Sequence, residues 1–194
     1  MTRRTHCERS TAETSIRLDL DLDGVGTSAI ATGVGFFDHM LTHIAKHGGL
    51  ALNLQATGDL HVDEHHLVED VGLCLGKAIN DALGEKRGIE RFGTAYVTMD
   101  EAMARTIIDL SGRSYFVFHA EFSREIINGF ALEMVQEFFR AVATEGRMNL
   151  HIALLYGTNA HHQAEAIFKS FGRALRAAAA TTGNEGIPST KGTL

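Results

Sequence analysis

The chain is predicted to be an α+β protein, a tandem duplication of a β-rich α/β half with helices on one face of each sheet. Three observations carry that expectation. A His-His-x-x-Glu pattern occurs twice, as His65-His66-Leu67-Val68-Glu69 and as His161-His162-Gln163-Ala164-Glu165, each at the start of a segment that reads as a helix. The flanking residues repeat in the same order. His39 matches Glu137 and Gly48 matches Gly146 at a separation of 98, while Leu75–Ile79 matches Phe171–Leu175 at 96. Upstream, Glu13, Arg17, Asp21, Leu22 and Gly24 match Glu101, Arg105, Asp109, Leu110 and Gly112 at 88. Strands followed by helices on one side complete the α+β pattern. The seam falls near Gly84–Arg91, giving a first half, 1–88, and a second half, 89–194, within one compact unit.

Each half reads alike. Ile16–Leu22 alternates apolar and polar residues, as a half-buried strand does, and ends at the turn pair Asp23-Gly24. The stretch Gly24–Ala29 resembles a dinucleotide fingerprint but opens no helix, so it is expected to be a hairpin between strands. A helix is expected from Phe37 to Lys46, stopped by Gly48 and Gly49, then a strand over Leu50–Ala56. The first long helix starts near Asp63, a suitable N-cap, and ends at Gly84. The second half offers a strand over Thr106–Leu110, a turn at Ser111-Gly112 and a strand over Ser114–His119. A helix over Leu132–Thr144, a strand over Met148–Leu155 and a long helix from Asn159 follow. The tail from Gly183 to the end is turn-rich and expected to be mobile.

The 194 residues, 44% hydrophobic and 22% charged, suit an ordinary globular chain, and no apolar run reaches the ~20 residues of a membrane helix. The N-terminus, Met1-Thr2-Arg3-Arg4, leads into no apolar stretch and does not read as a secretory signal. Two cysteines, Cys7 and Cys74, fit a reducing, cytoplasmic setting rather than a disulfide scaffold. A net charge of −6 argues against nucleic-acid binding while leaving room for one basic phosphate pocket.

The eleven histidines hold the chemistry. On a helix, His65 shares a face with Glu69 and His161 with Glu165, whereas His66 and His162 point about 100° away. Each motif is therefore shaped to serve two metal ions. With His39 and Glu137 the candidate ligands are His39, His65, His66, Glu69, Glu137, His161, His162 and Glu165, enough for two metals with four protein ligands each. Imidazole and carboxylate without thiolate suit Mn, Fe, Co or Zn. His43, His61, His119 and His151 lack motif support and are assigned packing or surface roles, with His47 a closer case.

Asp38-His39-Met40-Leu41 with His47-Gly48, the two His-His-x-x-Glu motifs, Arg91-Phe92-Gly93, Asp109–Arg113 and Pro188-Ser189-Thr190-Lys191-Gly192 together closely resemble the imidazoleglycerol-phosphate dehydratases of histidine biosynthesis. The match runs from Glu13 to the tail, in order and with similar spacing. It implies mixed four-stranded sheets of the ribosomal protein S5 domain 2-like type and two Mn²⁺ per active site. It also implies a 24-subunit homo-oligomer with sites shared between chains. Glu13 matches the family's active-site glutamate and is the candidate acid/base. The resemblance further makes Glu13, His47, Arg91, Arg113, Lys169, Ser189, Thr190 and Lys191 substrate-binding, with the cations on the phosphate. Two positions depart from the pattern: some members carry His where this chain has Glu137, and Ser189-Thr190 stands where Ser-Ser is frequent.

The expected reaction is loss of water from an imidazolylglycerol phosphate to give a ketone, through a metal-stabilised imidazolate and a diazafulvene. A dinuclear metal-dependent phosphohydrolase and a non-enzymatic metal-binding assembly are the rival readings.

Overall fold

The computed structural model describes residues 3–194; Met1 and Thr2, at the head of the expected first half, lie outside the described residues. The first half holds strands β1 (Arg4–Ser10), β2 (Thr14–Asp21), β3 (Ser28–Ala31) and β4 (Ala51–Gly58), with helices α1 (Gly35–Gly48) and α2 (His65–Leu83). The second half holds β5 (Phe92–Met99), β6 (Ala102–Asp109), β7 (Tyr115–His119), the short pair β8 (Ile126–Ile127) and β9 (Phe130–Ala131), α3 (Glu133–Glu145), β10 (Asn149–Tyr156) and α4 (Ala160–Ala178).

The duplication is written in the topology. One sheet is ordered β1-β2-β4-β3 and the other β5-β6-β10-β7. In both, the first three strands are antiparallel neighbours and the last joins parallel to the third. The mixed four-stranded sheets expected for the family are thus present in both halves. Alternation drives them: β2 buries Thr14, Ile16, Leu18 and Leu20 and exposes the residues between.

The expected hairpin at Gly24–Ala29 is replaced by a crossover. The chain leaves β2 and skips past β4, so β3 pairs with β4 on the far edge rather than with β2. A side chain at Gly24 would collide with the backbone of Ala51, 2.1 Å from its nitrogen, so glycine allows this close passage. Strands β1 and β5 were not expected. β1 is an edge strand with only Cys7 buried, which leaves almost no apolar signal.

The four helices fill the space between the sheets. α2 lies on β1 and β2, α4 on β5 and β6, and across the middle α1 packs on α4 and α2 on α3. Two glycines at repeat-equivalent positions set these approaches: a Cβ on Gly76 would stand 2.5 Å from the Val142 carbonyl oxygen, and one on Gly172 2.8 Å from that of Ile44. Phenylalanines fill the layer, with Phe37 edge-on to Phe138 at 5.3 Å and Phe138 stacked on Phe168 at 5.5 Å. The tail lies along the seam: Gly88 N–H donates to Gly186 O, Thr182 N–H to Gly88 O, and Arg91 Nη1 to Pro188 O at 2.8 Å. Among the described residues, no helix is long and apolar enough to cross a membrane.

Candidate metal centre

The packing of α1 on α4 brings together histidines from both halves. Along α1, His39, His43 and His47 recur every fourth residue and so line one face. Opposite them α4 presents His161, Glu165 and Lys169 at the same spacing. Asn159 caps α4, its side chain accepting from the backbone N–H of His161 and His162. Glu165 is the hub. Its Oε2 lies 3.5 Å from His39 Nε2, 3.3 Å from His43 Nε2 and 3.2 Å from His161 Nε2, while Lys169 Nζ holds Oε1 at 2.5 Å.

Charge in this cluster is set by burial and by neighbours. Burial alone would raise the Glu165 carboxyl, but the Lys169 hydrogen bond and the surrounding imidazoles outweigh it and bring its pKa down to about 2. Burial lowers His43 to about 4, with the charges of His39, Lys169 and His47 acting in the same direction against Glu165. An uncharged His43 beside an ionised Glu165 leaves both side chains with lone pairs to offer a metal ion. The donor set, nitrogen and oxygen without sulfur, fits a borderline divalent cation.

His43 was assigned a packing or surface role from sequence; it belongs instead to this cluster, its Nε2 3.2 Å from that of His39. The signal was present as the four-residue rhythm of His39, His43 and His47. His47 lies further along, its ring 5.7 Å from His43, and burial lowers its pKa.

The repeat-equivalent set behaves differently. Among the described residues, His65, Glu69 and Glu137 join no group of three potential ligand atoms, and Glu137 pairs with Arg140 at 2.7 Å. α2 and α3 still place them on packed helices, as α1 and α4 place the first set. The remaining two histidines turn away from both. His66 Nδ1 lies 3.0 Å from Asp59 and 3.8 Å from Glu13, forming the second group able to hold a cation. His162 Nδ1 bonds Glu101 Oε2 at 2.7 Å. The Asp59 hydrogen bond raises the pKa of His66, and the Glu101 hydrogen bond raises that of His162. Glu101 is itself lowered to about 2 by His162 and by the backbone N–H groups of Asn159 and Thr158.

The expected phosphate cations are spread over the second half. Arg91 forks onto Asp109 (2.7 and 3.2 Å) and reaches the tail through Pro188 O. Arg113 is exposed, and among the described residues no carboxylate pairs with its guanidinium. Lys169 is committed to Glu165. In the tail, Ser189 Oγ accepts from the Lys191 backbone N–H, while Thr190 and Lys191 are exposed.

Comparisons with known proteins give this arrangement a context. The family model for imidazoleglycerol-phosphate dehydratase matches residues 32–175. The imidazoleglycerol-phosphate dehydratase of Chlorobium chlorochromatii is 56% identical over 187 residues, covering 96% of this chain and 95% of that protein. That of Lacticaseibacillus casei is 54% identical, covering 96% of each. Among solved structures, the Staphylococcus aureus imidazoleglycerol-phosphate dehydratase is 41% identical with a TM-score of 0.83, covering 92% of this chain and 99% of its own. The Pyrococcus furiosus enzyme, crystallised with (S)-C348, is 38% identical with a TM-score of 0.84, covering 97% and 100%. The chain belongs to the imidazoleglycerol-phosphate dehydratase family.

Proposed function

We propose that this chain is a hydro-lyase of histidine biosynthesis, converting D-erythro-1-(imidazol-4-yl)glycerol 3-phosphate to 3-(imidazol-4-yl)-2-oxopropyl phosphate and water. The observation that carries the reading is the convergence of His39, His43 and His161 on Glu165 in a member of this family. A substrate whose reacting carbons carry no carbonyl needs another electron sink, and its imidazole ring is the one available.

Two Mn²⁺ ions, held by the histidine and glutamate sets of the chain, would supply that chemistry as Lewis acids at the ring nitrogens. His39, His161 and Glu165 form one ligand face within a chain, with His43 beside them, 3.3 Å from Glu165. Glu137, His65 and Glu69 occupy the equivalent places for the second. His66 and His162, turned outward, complete the sets of neighbouring chains, which makes four protein ligands per ion and requires assembly. A homo-oligomer of 24 subunits is the state we propose. The outer face of the second sheet supports assembly, since Phe92, Tyr96 and Tyr115 each leave more than half of their surface exposed there.

The chain's own groups do the rest. Glu13 is exposed, and its nearest ion-pair partner, His66, lies 3.8 Å away, so its acid form can give a proton to the departing hydroxyl, which leaves as water, and its carboxylate can take one back from the substrate carbon. Lys169 keeps Glu165 ionised. Arg113, Arg91 and Lys191, with the Ser189 and Thr190 hydroxyls, hold the phosphate, and His47 lines the approach. The tail, anchored at Arg91, closes the site against water. The two buried free thiols and the biosynthetic role support a cytoplasmic setting.

A dehydration assay with the imidazole substrate tests the reading. With Mn²⁺ the ketone forms and no inorganic phosphate is released; after chelation neither product appears. Phosphate release would favour the hydrolase reading.

A further inference from the structure

The repeat pairs two carboxylates, Glu13 and Glu101, that have come to do different things. Both sit immediately before matching strands, 88 residues apart. In the second half Glu101 divides its two oxygens. Oε1 accepts from the backbone N–H of Asn159 at 2.7 Å and of Thr158 at 3.0 Å, while Oε2 meets His162 Nδ1 at 2.7 Å. In the first half the loop before α2 carries Asp59, which takes the Nδ1 of His66 at 3.0 Å and leaves Glu13 at 3.8 Å.

An ionised carboxylate can only accept, so the nitrogen it meets carries the proton and the other ring nitrogen keeps its lone pair. We propose that Glu101 is a positioning residue for His162, and Asp59 for His66, each fixing the ring so that only Nε2 is offered outward as a ligand. The inference rests on the metal-dependent reading above and adds the groups that prepare its two outward histidines. It also accounts for the freedom of Glu13: the first half moved the ring-holding task to Asp59 and released the repeat-equivalent glutamate for proton transfer.

Glu101→Gln separates positioning from loop anchoring. The two backbone donors keep the amide oxygen of the new side chain in place of Oε1, so its NH₂ faces His162. The ring must then accept at Nδ1, which moves its proton to Nε2 and blocks that nitrogen as a neutral ligand. Glu101→Asp retains a carboxylate. Glu101→Ala removes both roles.

The test is calorimetric titration of Mn²⁺ into chelator-treated protein, with melting of the metal-free form recorded alongside. Wild type should bind two ions per chain. Glu101→Gln should melt like wild type without metal yet bind part of its Mn²⁺ about 10- to 100-fold more weakly, the range seen when groups behind a ligand are altered. Asp59→Asn should do the same, Glu101→Asp should recover most of the affinity, and Glu13→Gln should bind Mn²⁺ as wild type does. Wild-type affinity in Glu101→Gln overturns the proposal. So does an affinity loss that merely follows lowered metal-free melting, with Glu101→Asp no better than Glu101→Ala. Failure of wild type to bind Mn²⁺ would instead strike the metal-dependent reading itself.

Discussion

The outer faces of the two sheets occupy equivalent places in the duplication and have opposite chemistry. On the first, three directly opposed pairs across β1 and β2 join a basic side chain to an acidic one: Arg4 faces Asp21, His6 faces Asp19 at 2.7 Å and Glu8 faces Arg17 at 2.8 Å. At the same three rungs the second sheet has Phe92 facing Asp109, Thr94 facing Ile107 and Tyr96 facing Arg105. The Arg17–Glu8 ion pair has become Arg105 lying over the Tyr96 ring at 5.9 Å. Solvated cross-strand ion pairs need no partner and contribute little. Exposed aromatics at matching positions lower their free energy by being covered. The inner faces, by contrast, are buried in both halves. Duplication has kept two buried inner faces and divided the outer ones, the first charged and the second aromatic, which is the face we propose is covered by a second copy of the chain.

Making the second face resemble the first breaks this contrast most severely. Tyr96→Glu with Ile107→Asp restores the residues found at Glu8 and Asp19, and both positions are exposed, so folding should survive. Light scattering should show dissociation and the assay a near-complete loss of activity; an intact, active assembly would remove the role given to that face. The carboxylate contrast gives the next effect. Glu13→Gln should keep its metal and lose turnover by about 10²- to 10⁴-fold, the usual contribution of a positioned acid or base. Wild-type turnover there would end the acid/base assignment.

The helix layer gives a smaller effect, equal in the two halves. Gly76→Ala and Gly172→Ala each force a methyl against backbone and should lower stability by about 1–3 kcal/mol in denaturant unfolding. An unchanged midpoint would mean that the helices have room to separate. Smallest is the effect of pH on metal-free protein. His43 has a folded pKa of about 4 against 6.5 when exposed, so the unfolded chain binds the extra proton first. Its contribution is complete above pH 6.5 and fades as pH falls toward 4. The raised values of the exposed His66 and His162 act with opposite sign. His43→Asn should therefore flatten the decline in melting temperature between pH 6.5 and 4, and an unaltered slope would place the sensitivity elsewhere.

Much of this was legible in the chain. The repeat showed because core spacing and ligand motifs both survived duplication, so His65 with Glu69 and His161 with Glu165 announced themselves. His43 was missed because its partners are remote in sequence: only the packing of α1 on α4 brings it to Glu165. Asp59 and Glu101 were equally hidden, since a group that holds a ligand from behind obeys no helical spacing. β1 escaped because an edge strand with one buried residue has no apolar rhythm. The β2-to-β3 crossover escaped because strand order is settled by pairing that local residues do not encode.

On the proposed reading, a chain's ligand sets are completed by its neighbours. Titrating Mn²⁺ into chelated protein, with particle mass and dehydration rate followed together, tests it most directly. Mass and rate should rise together and saturate at two ions per chain, with no activity in the monomer. A monomer that turns over substrate at the full rate would contradict it.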